Sequence, residues 1–252
     1  MDQNIPGETI IKAVAGGGGS SYFVTDSGKV FSTGVRTGPL GYEPPGGPNV
    51  DVNTPTEITH SNLQGKTIID VVGNQESATL LASDGTVFSF GGRNGEESLG
   101  RPLTDIIVPV QLAHSNIVGK NIVEISSEGS EYTYMRASDG TILTFGGPFN
   151  RESWSSASRS SGTGRWRAGE AFPRPVIQTE MNGKTVAKMY TSLTMNYFVT
   201  TDSLIYSFGH VYSTGFRGNS MRSNLPTVKS PTLIPSSKLG NASVKNIFSC
   251  YC

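Results

Sequence analysis

Between Lys66 and Gly91 the chain alternates short apolar runs with polar or glycine-containing breaks. Ile68 to Val72 is one run, Ala78 to Ala82 a second, and Val87-Phe88-Ser89-Phe90 a third. Runs of this length with this punctuation predict strands. Asp84-Gly85, between the second and third, has the composition of a tight hairpin turn, where glycine supplies positive φ without a Cβ clash. A three-stranded meander is predicted. A long variable segment then leads to Pro109-Val110-Gln111-Leu112, read as a fourth strand at the sheet edge because proline cannot donate to a ladder.

The pattern recurs. "KTIIDVVGNQESATLLASDGTVFSFGG" from Lys66 returns as "KNIVEISSEGSEYTYMRASDGTILTFGG" from Lys120 and, more loosely, as "KTVAKMYTSLTMNYFVTTDSLIYSFGH" from Lys184. "ETIIKAVAGGGGSSYFVTDSGKVFSTG" from Glu8 is the first copy. The anchoring glycines Gly34, Gly91, Gly146 and Gly209 lie 57, 55 and 63 residues apart, too far for solenoid units. Similar endings close each copy, as in "TPTEITHSNLQGK" and "VPVQLAHSNIVGK". The expected organisation is a tail at 1–7, repeats at 8–65, 66–119, 120–183 and 184–241, and a partial unit at 242–252. Asp202-Ser203 replaces the Asp-Gly pair in the fourth copy, which argues against a tight turn there.

Alternation in the third strand places Phe88 and Phe90 on one face, matched by Leu143 and Phe145 and by Tyr206 and Phe208. A lone four-stranded sheet cannot bury both faces, whereas radial stacking of tandem sheets can. The expected fold is all-β, a β-propeller of tandem four-stranded antiparallel blades, incomplete in this chain, with four blades plus the first strand of a fifth.

Composition narrows the function. Twenty Lys and Arg balance twenty Asp and Glu, so the chain has no net field to draw nucleic acid or an anionic membrane. The two cysteines, Cys250 and Cys252, cannot staple the body of the protein, and two ligands are too few for a metal cage. No secretion signal opens the chain and no apolar stretch approaches 18 residues, so a soluble cytoplasmic or nuclear monomer is expected, without cofactor or metal. "NAS" at Asn241 matches a glycosylation acceptor that this location leaves unused.

The module "LxSDGxVFSFGxNxxGxLG", best preserved as "LLASDGTVFSFGGRNGEESLG" from Leu80 to Gly100, resembles the repeats of the regulator of chromosome condensation family. The resemblance runs from about Glu8 to the end of the chain. It implies a β-propeller, usually of seven blades. The functions it implies are nucleotide exchange on a small GTPase, chromatin binding, or protein interaction in larger proteins such as ubiquitin ligases. The usual histidine after the glycine turn is replaced by Ser20-Ser21 and Glu76-Ser77, and the third-strand tryptophan by Phe31, Phe88, Leu143 and Tyr206. "LG" survives as Leu40-Gly41 and Leu99-Gly100 but is not recognisable in the third and fourth copies. No family contact residue maps onto this chain.

Gly16 to Gly19 invites a phosphate-loop reading, but no lysine or helix follows in register, and the aligned segments are ordinary polar turns. Slack at a terminal blade accounts for the four glycines. Ser20 and Ser21 lack a nucleophile-elbow context. His60 and His114 occupy one repeat position, which indicates a structural or surface role, and His210 stands alone. No inward-facing acids repeat as a channel hydrolase would need, so the chain is read as non-enzymatic. The informative segment is 147–175, where Arg151, Arg159, Arg165 and Arg167 accompany both tryptophans, Trp154 and Trp166. Arginine and tryptophan are enriched at binding hot spots, and long loops on rigid scaffolds carry function. Residues 210–222 add Tyr212, Phe216 and Arg217. The expected role is a protein-binding scaffold, with exchange on a small GTPase as the alternative and chromatin or nucleic-acid binding through the basic segment as a third reading.

Overall fold

The computed structural model describes residues 5–35, 38–47, 50–74, 77–91, 96–127, 132–147, 170–191, 195–209 and 228–239. They form four four-stranded sheets and short 3₁₀ turns. Sheet 1 contains β1 (Ile10–Ala15), β2 (Ser20–Thr25), β3 (Val30–Gly34) and β4 (Val52–Glu57). Sheet 2 contains β5 (Ile68–Gly73), β6 (Ser77–Ala82), β7 (Val87–Gly91) and β8 (Val110–Gln111). Sheet 3 contains β9 (Ile122–Ser126), β10 (Tyr132–Ala137), β11 (Ile142–Gly146) and β12 (Glu170–Pro175). Sheet 4 contains β13 (Val186–Thr191), β14 (Met195–Thr200), β15 (Ile205–Gly209) and β16 (Val228–Leu233). Each is an antiparallel meander whose spatial order is its chain order. The fourth strand lies at the edge in every sheet, with a proline inside β4, β12 and β16 and one directly before β8, where a missing N–H costs no ladder bond.

The sheets stack face to face in sequence. Phe88 and Phe90 of sheet 2 pack on Tyr22, Val24 and Val30 of sheet 1, with Phe90 edge-on to Tyr22 at 5.9 Å. Leu143 and Phe145 of sheet 3 pack on Val72, Leu81 and Val87 of sheet 2. Tyr206 and Phe208 of sheet 4 pack on Tyr134 and Ile142 of sheet 3. The third-strand aromatic face therefore always meets the preceding sheet. Sheets 2 and 3 are covered on both sides, so all six residues of β6 are buried and its sequence loses polar alternation. Each fully buried Leu or Phe contributes about 1.5–3 kcal/mol, so these interfaces hold the array together. First strands of neighbouring sheets touch one another, which places them on the inner side of the stack.

Two local expectations change. The Asp202-Ser203 turn is tight after all: Ser203 takes φ +64 and its N–H reaches Thr200 O at 2.9 Å, as Gly85 and Gly140 do to Ala82 and Ala137. The four glycines are also not slack. A Cβ on Gly16 would lie 2.6 Å from the Tyr22 ring, and one on Gly19, at φ +81, would lie 2.5 Å from Val35. They form a 3₁₀ turn closed by Gly16 N–H to Ser20 O at 2.8 Å. Residues 242–252 lie outside the described residues.

Candidate functional site

In a meander the first-to-second and third-to-fourth connections emerge on one rim, and the hairpin turns and inter-sheet linkers on the other. The linker rim is clamped. The lysine that opens the second repeat reaches the turn of its own sheet: Lys66 Nζ donates to Asp84 Oδ2 at 2.5 Å and to Thr86 Oγ1 at 3.1 Å. Lys120 does the same to Asp139 at 2.7 Å and Thr141 at 3.0 Å, and Lys184 to Asp202 at 2.5 Å. These lysine hydrogen bonds hold the Asp84 and Asp139 carboxyls down at about 2 and also lower that of Asp202. Sheet 1 substitutes Glu8, bonded to Lys29 at 2.7 Å and Ser27 at 2.5 Å.

His60 and His114 complete this rim. Each Nδ1 accepts the N–H two residues on, Asn62 or Asn116, at 3.2 Å. Those asparagines then donate from Nδ2 to a proline carbonyl of the next sheet, Pro109 or Pro173, at 2.8 Å. Their repeated position thus marks a structural joint between sheets.

The opposite rim is pinned in sheets 1 and 2 by the Leu-Gly pairs. Ser32 Oγ donates to Leu40 O at 2.6 Å, and Ser89 Oγ to Leu99 O at 2.7 Å. The following glycine then lies on the next sheet: a Cβ on Gly41 would sit 3.1 Å from the Phe90 ring, and one on Gly100 2.6 Å from that of Phe145. Arg101, only 3% exposed, anchors the second loop further. Its guanidinium donates to Ser89 Oγ at 3.1 Å, Ser89 O at 3.0 Å, Pro102 O and Asp105 O at 3.2 Å, and Thr104 O. Burial lowers its pKa from the free value. Sequence reasoning missed Arg101 and the clamp lysines; the signals available were an arginine directly after "LG" and the "GK" that closes the first three repeats.

From the same rim, the chain leaves sheet 3 after Gly147 and returns at Glu170, and leaves sheet 4 after Gly209 and returns at Val228. All nine predicted contact residues, Arg151, Trp154, Arg159, Arg165, Trp166, Arg167, Tyr212, Phe216 and Arg217, belong to these segments and lie outside the described residues, as does His210. Ser207, the counterpart of Ser32 and Ser89, has a buried hydroxyl with no hydrogen-bond partner among the described residues.

Elsewhere the altered groups answer to packing. Burial raises the Tyr22, Tyr134 and Tyr197 hydroxyls, and it raises Asp70 even beside Lys12 of sheet 1. Among the described residues no three His, Cys, Asp or Glu side chains are placed to hold a metal, and no helix is long and apolar enough to cross a membrane.

Solved structures with this arrangement of sheets include human WBSCR16, which is 17% identical with a TM-score of 0.67 over 90% of this chain and 53% of that one. Prp20p from Saccharomyces cerevisiae is 18% identical, with a TM-score of 0.65 over 89% and 50% of the two chains. Yeast RCC1 (Prp20) bound to Kap60 is 17% identical, with a TM-score of 0.63 over 89% and 48%. The fold is that of an RCC1-like repeat propeller. The chain spans about half the length of these RCC1-like structures. No protein-family model and no curated protein matches its sequence.

Proposed function

We propose that the chain is a non-enzymatic protein-interaction module, a scaffold or adaptor that holds its partner through 147–175 and 210–222. The observation that carries this reading is the division of labour between repeats. The first two use their rim loops to join sheets, through Leu40-Gly41 and Leu99-Gly100. The corresponding segments of the third and fourth, 147–175 and 210–222, contain no such pair and instead supply Trp154, Arg165, Trp166, Arg167, Tyr212, Phe216 and Arg217. The repeats proposed as units are 8–65, 66–119, 120–183 and 184–241, in a monomer of the cytoplasm or nucleus. A partner recovered by pull-down should bind the purified chain directly and lose about 30-fold or more in affinity when Trp166 and Arg167 become alanine, as hot-spot residues do. Unchanged binding by that variant, or substrate turnover by the purified chain, overturns the proposal.

A second reading is nucleotide exchange on a small GTPase, supported by the likeness to Prp20p, whose structure was described together with its binding to Gsp1p and histones. Stimulated nucleotide release from a panel of purified small GTPases tests it, and no acceleration removes it. Binding to histones or nucleic acid through the arginines would instead weaken steeply with salt.

A further inference from the structure

Two equivalent corners of the clamped rim differ in one side chain. The hydrogen bonds of His60 with Asn62 and of Asn62 with Pro109 repeat those of His114 with Asn116 and of Asn116 with Pro173, distance for distance. The residue before the proline is Phe172 in one corner and Val108 in the other. Phe172 stacks on His114, with ring centroids 5.2 Å apart and planes 17° from parallel. His60 instead borders an open cleft of about 450 Å³, lined by Glu57, Ile58, Thr59, His60, Leu63 and Gln64 with Ser61 between them. Val108 does not reach this cleft.

We propose that the cleft is a docking site for an extended segment of a partner protein that carries an aromatic residue followed two positions later by a basic one. The protein holds its own template in Phe172-Pro173-Arg174, whose aromatic occupies the matching corner one sheet along. The imidazole plane of His60 with the half-buried Leu63 supplies an apolar seat, and aromatic rings favour stacked contact of the kind seen at His114. Glu57 gives the cleft a carboxylate, no lysine or arginine is among its described lining residues, and nearby Lys29 is already bonded to Glu8, so charge complementarity selects a basic neighbour. This site lies on the rim opposite the one from which the chain leaves sheets 3 and 4 after Gly147 and Gly209, and its occupancy is independent of the interaction proposed for Trp166 and Arg167.

The probe is the capped hexapeptide Glu-Ala-Phe-Pro-Arg-Pro, the sequence of residues 170–175, titrated into the full chain with its three histidines labelled for NMR. His60 ring resonances should shift saturably, while those of His114, already covered, stay in place. Replacing the peptide phenylalanine by alanine should weaken binding at least about tenfold, the scale of a lost buried aromatic. Val108→Phe should fill the cleft in cis and abolish the His60 response. Glu57→Gln should weaken binding about two- to fivefold for the arginine peptide and leave its glutamine version unchanged, the range of an exposed ion pair. No saturable shift at His60, an equal shift at His114, or an undiminished response in folded Val108→Phe overturns the proposal. Should that variant fail to fold, the alanine peptide and Glu57→Gln decide it, and equal binding in both arms overturns it as well. Alanine variants of Trp166 and Arg167 leave this titration unchanged, which separates it from the reading proposed for those residues.

Discussion

Replacing Gly100 by alanine tests whether the Leu-Gly loop joins sheet 2 to sheet 3. Two costs meet at this position. Its backbone is left-handed at φ +65, which costs an L-residue about 1–2 kcal/mol. Its Cβ would also lie 2.6–2.9 Å from three atoms of the Phe145 ring, and Phe145 is fully buried. Overpacking a rigid interior adds about 1–3 kcal/mol. Gly140 is the control, since it has φ +84 and nothing within 4 Å of its would-be Cβ. Gly140→Ala should cost only the conformational part, about 1–2 kcal/mol, and Gly100→Ala should exceed it by about 1–3 kcal/mol. For a chain of this size each kcal/mol lowers Tm by about 2–4 °C, so the two variants separate in thermal melts and urea titrations. Phe145→Leu in the Gly100→Ala background should recover part of the excess, giving a coupling energy of at least about 0.5 kcal/mol. Equal losses for Gly100→Ala and Gly140→Ala, with no coupling to Phe145, would falsify the inter-sheet role of the loop.

Ser203→Gly should stabilise the protein by about 0.5–1 kcal/mol, because it relieves the left-handed serine at φ +64; an unchanged or lower urea midpoint counts against that account. Arg101→Met should cost about 3 kcal/mol by leaving several carbonyls without their donor, and Arg101→Lys should recover little because an ammonium cannot span the same fork; full recovery by lysine on urea titration refutes this. Asp84 and Asp139 are held at about 2 when folded, below the ordinary value of 3.8, so their stabilisation is complete above about pH 4 and is lost as pH falls towards 2. Lys66→Met with Lys120→Met should flatten that acid limb in pH-dependent melts, and an unaltered limb would show that the clamps carry no linkage.

Strands, turns, repeats and the aromatic face of the third strand were legible along the chain because they depend on local alternation and on turn composition. Phe88 and Phe90 could be assigned to one face from spacing alone. That this face meets the preceding sheet, and that Val87 faces the following one, depends on how repeats stack, which local pattern does not encode. The same holds for Gly100, whose neighbour Phe145 is 45 residues away, and for Arg101, a charged residue whose burial is made tolerable by carbonyls that converge only when its loop closes. Ser203 shows the reverse case: composition argued against a tight turn, but the clamp from Lys184 and the flanking ladder hold the backbone in a conformation serine disfavours. The amino-acid sequence by itself determined four sheet-forming repeats and the segments left free of Leu-Gly pairs. Tertiary structure alone decided which rim is clamped and which side chains join the sheets, because those contacts bring together residues of different repeats that share no local signal.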